Sequence, residues 1–135
     1  MMTSILKIGL IGAGRIGQVH AESIATRIIN AEVIAIADIR REIAERTAGR
    51  LNIPQVSDNY QDLLNNPSVD AVAICSSTDT HAQIIREAAA AGKHIFCEKP
   101  IDHSLRKIDA ALAAVEKAGV KFQVGFNRRF VLFQL

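Results

Sequence analysis

The sequence predicts a doubly wound α/β domain, in which a parallel β-sheet lies between two layers of helices. Short apolar runs alternate with longer amphipathic segments along most of the 135 residues, an order that is typical of strand–helix–strand units. Hydrophobic residues make up 49% of the chain and aromatic residues 4%, so the core must consist of Ile, Val, Leu and Ala. Such a core suits parallel strands that are buried on both faces. Because the chain is too short for two ordinary cores, we expect a single domain.

Six strands are predicted from short apolar runs, of which five are clear and one is weak. The clear runs cover residues 7–11, 33–37, 71–75, 94–97 and 122–125, and the weak run covers residues 55–57. Two of the segments between them carry apolar residues at helical spacing, which predicts one buried face on each helix. These residues are Ile39, Ile43, Ala44, Thr47, Ala48 and Leu51 in the first segment, and Leu105, Ile108, Ala111, Leu112 and Val115 in the second.

Capping residues agree with these boundaries. Ser104 precedes the last helical segment, where a hydroxyl group can accept a hydrogen bond from the first turn. Gly92 and Gly119 follow helical segments, at positions where helices commonly end in a left-handed residue. The chain therefore carries helix start and stop signals between its apolar runs.

A glycine-rich turn follows the first strand directly and precedes a helical segment. It reads Gly12-Ala13-Gly14-Arg15-Ile16-Gly17. In a Rossmann fold, glycines at these positions permit a tight turn, let a pyrophosphate approach the backbone and let the helix pack closely on the strand. The helix N-terminus then faces the anion. The pattern alone would also fit a loop whose glycines serve packing only, but its place between strand and helix predicts dinucleotide binding.

Asp38 ends the second strand, where an acidic side chain accepts hydrogen bonds from the adenosine ribose hydroxyls. We expect it to form the cofactor site together with Ile39 and Arg40. A carboxylate there repels a 2′-phosphate, so NAD is expected in preference to NADP. Arg40 and Arg41 could offer that phosphate a counter-charge, which keeps NADP as the less favoured alternative.

Polar clusters follow three further strands, at the sheet edge where doubly wound proteins bind ligands. The residues expected at this edge are Ser76, Ser77, Thr78 and His81 after the fourth strand, Glu98, Lys99 and Pro100 after the fifth, and Asn127 and Arg128 after the sixth. Taken alone, Lys99 fits an exposed loop lysine and His81 fits a residue that packs at a helix start. The sequence leaves the isomer of the Lys99–Pro100 peptide bond open.

Together these segments resemble the Gfo/Idh/MocA oxidoreductases, and Glu98-Lys99-Pro100 is the diagnostic piece. Residues 97–102 and 124–130 most resemble the inositol 2-dehydrogenases of that family. The resemblance implies an NAD-dependent enzyme that oxidises a ring secondary alcohol of a polyol or sugar to a ketone. It implies that Lys99 lies beside the nicotinamide and the substrate hydroxyl and takes part in moving the proton. It also implies that His81 lines the cofactor side and that Asn127 and Arg128 contact the substrate. Glu98 is counted with the cofactor-binding residues, and it could either orient Lys99 or simply end the strand.

The resemblance also predicts what this chain lacks. Members of the family carry a second α/β domain, which supplies most substrate contacts and an Asp four residues before a His, and this sequence contains no such pair. We expect residues 1–126 to form the dinucleotide-binding domain. Residues 127–135 would be a truncated start of the substrate domain or an altered tail. We therefore expect an isolated fragment that binds NAD, turns over polyols negligibly and self-associates into a homo-oligomer. The alternative is a non-catalytic dinucleotide-binding module, a sensor or scaffold.

Composition argues against other partners. Lys and Arg number 16 against 14 Asp and Glu, a balance that gives no reason to expect nucleic acid or an anionic membrane. No apolar run approaches the roughly 18 residues of a membrane span. Cys75 and Cys97 lie in apolar runs without metal-ligand spacing, so we expect reduced, buried thiols and no metal. These features predict a cytoplasmic protein that binds small molecules.

Overall fold

The computed structural model describes residues 4–125, where six strands and five helices alternate as the sequence predicts. The strands are β1 (Leu6–Ile11), β2 (Ala31–Ala37), β3 (Gln55–Ser57), β4 (Ala71–Ile74), β5 (His94–Glu98) and β6 (Phe122–Gly125). The helices are α1 (Arg15–Arg27), α2 (Arg41–Leu51), α3 (Gln61–Leu64), α4 (Thr78–Ala90) and α5 (Leu105–Ala118). Each strand lies within two residues of its predicted bounds, and the weak third run is a strand.

The strands form one parallel sheet in the order β3-β2-β1-β4-β5-β6. The chain therefore builds the sheet in one direction from β1 to β3 and in the other from β4 to β6. The direction reverses between β1 and β4, so the loops that follow these neighbouring strands separate and leave a crevice. The predicted single doubly wound α/β domain of the Rossmann type is confirmed.

Two hydrophobic cores lie on opposite faces of the sheet because successive strand residues point to opposite sides. In β1, Leu10 belongs to the core beneath α1 and α2, while Ile11 belongs to the core beneath α4 and α5. Ala73 and Ile74 of β4 alternate in the same way. Small side chains such as Ala21 on α1 and Ala88 on α4 are fully buried. These helices therefore pack closely on the strands and hold the loops at the carboxyl edge.

The predicted helix ends are present in the structure. Ser104 Oγ accepts a hydrogen bond from the Lys107 backbone N–H at 3.4 Å. Gly92 and Gly119 adopt left-handed backbone angles, with φ of 75° and 70°. Asn52 ends α2 in the same region with φ of 58°, which an Asn side chain tolerates better than most.

Parts of the predicted buried helix faces are exposed, which corrects the sequence interpretation. Ile39 is 90% exposed because it lies in the loop before α2, which begins at Arg41. Leu105 is 78% exposed at the first position of α5, and Leu112 is 40% exposed. Of the residues predicted for the buried face of α5, Ala111 and Val115 are buried. Helical spacing identified the apolar side of each segment but not where the helix begins.

A broad apolar groove lies beside α1, on the sheet face that α1 and α2 share. It has a volume of about 980 Å³ and is bordered by Ile8, Ile28, Phe96 and Phe122. Within residues 4–125 no helix is long and apolar enough to cross a bilayer.

Candidate functional site

The crevice between β1 and β4 opens into a cavity of about 380 Å³ at the carboxyl edge of the sheet. The loops after β1, β2, β3 and β4 all contribute to it. Seven of the residues that line this cavity were predicted from the sequence as cofactor-binding residues: Gly12, Gly14, Asp38, Ile39, Arg40, Ser76 and Ser77. The structure thus brings together groups from three separate segments of the predicted cofactor site.

The glycine turn has the geometry that a close phosphate turn requires. Gly12 has φ of 99°, and a Cβ added there would lie 2.6 Å from the Ser76 backbone nitrogen. A Cβ added at Gly17 would lie 2.0 Å from the Gly12 carbonyl oxygen, so α1 packs directly on the turn. Each position excludes a side chain for a different reason. Gly12 needs its left-handed angle and lies against the loop after β4, whereas Gly17 lacks space.

Gly14 differs from the other two glycines because nothing lies within 4 Å of a Cβ built on it. Its backbone is extended, with φ of −71° and ψ of −168°, and it forms the N-cap of α1 without a side-chain hydrogen bond. It also lines the cavity. Folding alone therefore does not require a glycine at this position. A side chain at this position would fill the open space at the helix N-terminus, which a dinucleotide pyrophosphate needs. The residues present therefore fit such a group.

Asp38 joins the end of β2 to the glycine turn. Its Oδ2 accepts a hydrogen bond from the Ala13 backbone N–H at 2.8 Å, and its Oδ1 accepts one from the Arg40 backbone N–H at 2.8 Å. The Asp38 side chain is 9% exposed. An ionised carboxylate has about four lone-pair positions, so this group still has capacity to accept hydrogen bonds from ribose hydroxyls in the cavity.

The two arginines after Asp38 already have carboxylate neighbours. Arg40 Nε lies 3.8 Å from Asp38 Oδ1, and Arg41 Nε donates to Glu45 Oε1 at 2.9 Å. Both guanidinium groups are more than half exposed. The positive charge near Asp38 is therefore partly balanced within this loop and the first turn of α2.

The loop after β4 supplies hydroxyl groups to the opposite wall. Thr80 Oγ1 donates to the Ser77 carbonyl oxygen at 2.6 Å and accepts from Ser76 Oγ at 2.8 Å. These bonds fix the first turn of α4, whose N-terminus faces the same crevice as that of α1.

His81 lies inside the protein and not at the cavity surface, which corrects the expectation that it lines the cofactor side. The side chain is 1% exposed. Its Nδ1 lies 2.8 Å from the Pro100 carbonyl oxygen and its Nε2 lies 2.8 Å from the Ser76 carbonyl oxygen. His81 therefore connects the loop after β4 to the loop after β5.

Glu98 ends β5 and is followed by Lys99 and Pro100, and the surroundings of these residues differ sharply. Glu98 is 7% exposed, and its Oε1 lies 2.5 Å from Nε2 of His20 on α1. Lys99 is exposed at the sheet edge, and the Lys99–Pro100 peptide bond is cis. His20 has no partner at metal-ligand spacing in the sequence and was not predicted as a site residue, and it lies 78 residues from Glu98 along the chain.

The remaining predicted residues within the described part of the chain do not line the cavity. They are Ala13, Arg15, Ile16 and Gly17 around the glycine turn, Thr78 at the start of α4, Glu98 at the end of β5 and Lys99 after it. Asn127 and Arg128, with the rest of residues 126–135, lie outside the described residues. Within residues 4–125, no three His, Cys, Asp or Glu side chains form a group that could hold a metal ion.

Seven cavity residues were not predicted as site residues, and three of these carry a carboxylate or a hydroxyl group: Asp58, Tyr60 and Thr80. Asp58 and Tyr60 follow β3, so the strand-end rule that singled out the later clusters would have found them if the weak third strand had been treated like the others. The Tyr60 hydroxyl donates to the Glu87 carboxylate. Burial, and then the neighbouring Glu87, raise the pKa of Tyr60 to about 12, so this phenol is neutral at physiological pH.

Both cysteines are free thiols and buried, as the sequence predicts. Burial raises the pKa of Cys97 to about 12, with a further contribution from the charge of Glu98. The same two effects, again with burial as the larger, raise the pKa of the Cys75 thiol, which lines the cavity. Neither thiol is therefore a nucleophile at neutral pH.

Comparisons with known proteins agree with this geometry. The chain is 50% identical over 129 residues to an uncharacterised oxidoreductase of Bacillus subtilis. This match covers 96% of this chain and 38% of the relative. It is 40% identical to a myo-inositol 2-dehydrogenase of Thermotoga maritima, over 93% of this chain and 37% of the relative. The solved structure of scyllo-inositol dehydrogenase from Lactobacillus casei, with bound NAD(H) and scyllo-inositol, superposes with a TM-score of 0.90 at 35% identity. That match covers 94% of this chain and 38% of the solved one.

The chain thus spans 37–38% of the length of these relatives. The family model described as an oxidoreductase family with an NAD-binding Rossmann fold matches residues 6–126, which is nearly all of this chain. With a parallel sheet, a glycine turn and a strand-end carboxylate in the arrangement described above, the chain belongs to the NAD-binding Rossmann domains of the Gfo/Idh/MocA oxidoreductases.

Proposed function

We propose that the chain binds NAD in the cavity between β1 and β4. On this proposal the chain is the cofactor-binding part of a dehydrogenase that oxidises a ring secondary alcohol of an inositol-like polyol to a ketone. The observation that carries the proposal is the hydrogen bond between Asp38 Oδ2 and the Ala13 backbone N–H at 2.8 Å. It holds the Asp38 carboxylate beside the glycine turn, which supports the binding of a ribose and a pyrophosphate at neighbouring points of one cavity.

The surroundings of Asp38 favour NAD over NADP. A 2′-phosphate next to the ribose would meet a carboxylate that is 9% exposed and cannot turn away without breaking two hydrogen bonds. Arg41 is paired with Glu45, and Arg40 is more than half exposed with its Nε 3.8 Å from Asp38 Oδ1. We expect the repulsion between Asp38 and a 2′-phosphate to outweigh the attraction that these exposed arginines supply.

The proposed reaction uses both NAD, bound in the cavity, and the side chain of Lys99. NAD, when bound, supplies a ring carbon that accepts a hydride. Lys99 Nζ would take the proton from the substrate hydroxyl, as the resemblance to the family implies, and its exposure at the carboxyl end of β5 leaves it accessible to a substrate. The inositol dehydrogenases among the similar proteins support a cyclic polyol as substrate. Because the chain spans 37–38% of those relatives, we propose this activity for a protein that also contains residues equivalent to the remainder of their length.

Calorimetric titration of the 135-residue chain with NAD, NADP and ADP-ribose tests the cofactor proposal. We expect NAD and ADP-ribose to bind and NAD to bind more tightly than NADP, by about tenfold for a charge repulsion of about 1.4 kcal/mol. Absence of binding by NAD and ADP-ribose, or tighter binding of NADP, would contradict the proposal.

Inositol-dependent NADH formation by the longer protein tests the reaction. We expect Lys99→Met to abolish it while NAD binding persists, and Lys117→Met, which changes an exposed lysine on α5, to leave it unchanged. If the Lys99→Met protein keeps its turnover, Lys99 has no role in proton transfer. A longer protein that binds NAD and oxidises no polyol would favour the sensor or scaffold alternative.

A further inference from the structure

The His20–Glu98 contact joins the cofactor helix to the strand that carries Lys99. His20 Nε2 donates to Glu98 Oε1 at 2.5 Å. His20 lies on α1, five positions after the helix begins at Arg15, and Glu98 is the last residue of β5. Among residues 4–125, His20 is the hydrogen-bonding and ion-pair partner of the Glu98 carboxylate.

The groups around this contact fix its geometry. The His20 ring packs edge-on against Phe96, with ring centroids 5.1 Å apart and an interplanar angle of 66°. On the neighbouring strand, a Cβ added at Gly125 would lie 3.2 Å from Glu98 Oε1 and 2.7 Å from the Phe96 ring. Gly125 therefore leaves the space in which the carboxylate lies. The Glu98 side chain is 9% exposed and the His20 side chain 26% exposed.

A buried carboxylate is costly unless it is paired and hydrogen-bonded. Without the His20 imidazole, hydration of the Glu98 carboxylate would be strongly favoured over its burial. Phe96 and the neighbouring strand at Gly125 lie close to this carboxylate, so we expect it to reach water by a movement of the β5 end. Lys99 is the next residue in the chain, so such a movement changes the position of its backbone directly.

We propose that His20 is a positioning residue, which through Glu98 fixes Lys99 relative to the glycine turn and hence to the bound dinucleotide. This inference rests on the proposed function for the role of Lys99, and it adds a residue outside the cavity to that site. Within residues 4–125, His20 does not line the cavity, and its side chain bonds to Glu98 and not to Lys99. Its effect is exerted through Glu98, and it couples α1, which begins at the pyrophosphate turn, to the end of β5.

The test follows the Lys99 amine by nuclear magnetic resonance after reductive methylation with isotope-labelled formaldehyde. The Lys99 signal is identified by its absence in Lys99→Arg. Three variants are compared with the wild type. His20→Asn removes the donor at the Nε2 position, and His20→Gln returns a donor to that position. His94→Asn is the matched control, because His94 also lies on β5 and its Nδ1 accepts a hydrogen bond from the Lys121 backbone N–H at 3.0 Å.

In the free chain we expect the Lys99 signal to move or broaden in His20→Asn and to keep its wild-type position in His20→Gln and His94→Asn. An unchanged signal in folded His20→Asn would overturn the proposal, and so would an equal change in His94→Asn. If His20→Asn does not fold, a changed signal in folded His20→Gln overturns it. These results need no ligand, so they are separate from the outcome of the cofactor titration.

Ligand titrations separate positioning from a general loss of structure. ADP-ribose lacks the nicotinamide, and we expect its Kd to stay within about twofold of wild type in all three variants, since none of them changes the cavity lining. We expect NAD to shift the Lys99 signal in the wild type and in His20→Gln, and to shift it much less in His20→Asn. Equal NAD-induced shifts in wild type and His20→Asn would contradict the proposed role.

Discussion

The cavity between β1 and β4 and the groove beside α1 are both concave and apolar, yet we propose only the cavity as a ligand site. The groove is larger, at about 980 Å³ against about 380 Å³. The cavity, however, combines a carboxylate that is tied to the backbone, the start of two helices and a hydroxyl pair that fixes one loop. The groove is lined mainly by aliphatic and aromatic side chains of α1 and the strands. The comparison shows that convergent polar groups on fixed loops, and not volume, identify a binding site.

The largest effect should come from a side chain at Gly17. We expect Gly17→Ala to destabilise the fold by about 3 kcal/mol or more, because the added Cβ would lie 2.0 Å from Gly12 O, and to abolish NAD binding with it. Chemical denaturation and calorimetry measure the two effects. Gly49→Ala on α2 is the control, because its Cβ meets nothing within 4 Å, and it should raise the free energy of unfolding by about 0.5–1 kcal/mol. A Gly17→Ala chain of wild-type stability would show that α1 does not need its close contact with the turn.

Gly14→Ala should separate stability from binding. Its Cβ has no neighbour within 4 Å in the protein, so we expect the free energy of unfolding to be nearly unchanged. The same methyl group would occupy the space of the pyrophosphate, and a steric cost of about 1–3 kcal/mol raises the NAD Kd about 10- to 100-fold. Unchanged NAD affinity in this variant would place the pyrophosphate elsewhere and remove the main distinction between the cavity and the groove.

Asp38→Ala should weaken NAD binding about tenfold, which corresponds to about 1.4 kcal/mol for the lost hydrogen bonds to the ribose. The preference for NAD over NADP should shrink as well, because the carboxylate that repels the 2′-phosphate is gone. Parallel titrations with both cofactors measure the ratio of their Kd values. If Asp38→Ala keeps the wild-type ratio, Asp38 does not determine the selectivity.

The smallest effects should come from two exposed isoleucines, one in each concave region. Ile39 lies at the rim of the cavity and Ile28 lies in the groove. An added ammonium group at the rim interacts with a 2′-phosphate by up to about 1 kcal/mol, so Ile39→Lys should strengthen NADP binding a few-fold. Ile28→Lys should change the Kd of either cofactor by less than about twofold. A larger effect of Ile28→Lys would indicate that the groove contributes to cofactor binding.

The expectation of a homo-oligomer stays a prediction. Sedimentation velocity over a range of chain concentrations tests it. A molecular mass that corresponds to the monomer at every concentration would contradict it.

The sequence predicted those features of the fold that depend on neighbouring residues. Strand positions and the glycine turn follow from local periodicity and spacing, so the six strands and the place of the turn between β1 and α1 were predicted correctly. Asp38 was identified because it ends a strand, and its bond to Ala13 N–H agrees with that placement. Such features require no knowledge of distant side chains.

Contacts between distant residues could not be predicted in this way. His20 and Glu98 are 78 residues apart and meet because the fold brings His20 of α1 against Phe96 and Glu98 of β5. The resemblance to the family implied that His81 lines the cofactor side, but its ring lies against two carbonyl oxygens inside the protein. Ile39 satisfied a helical pattern and lies before the helix begins. In each case the outcome depends on the orientation of one element relative to another, which a spacing rule does not contain.

The buried ring of His81 has a consequence for how substitutions in this domain are interpreted. It bonds to the loop after β4 and to the loop after β5, so a change at position 81 disturbs a wall of the cavity and the segment next to Lys99 at once. A mutational scan scored only by dinucleotide binding or by turnover would rank position 81 among the ligand contacts. Scans of such domains therefore need a separate measure of folding before loss of activity at a histidine is counted as evidence of chemistry.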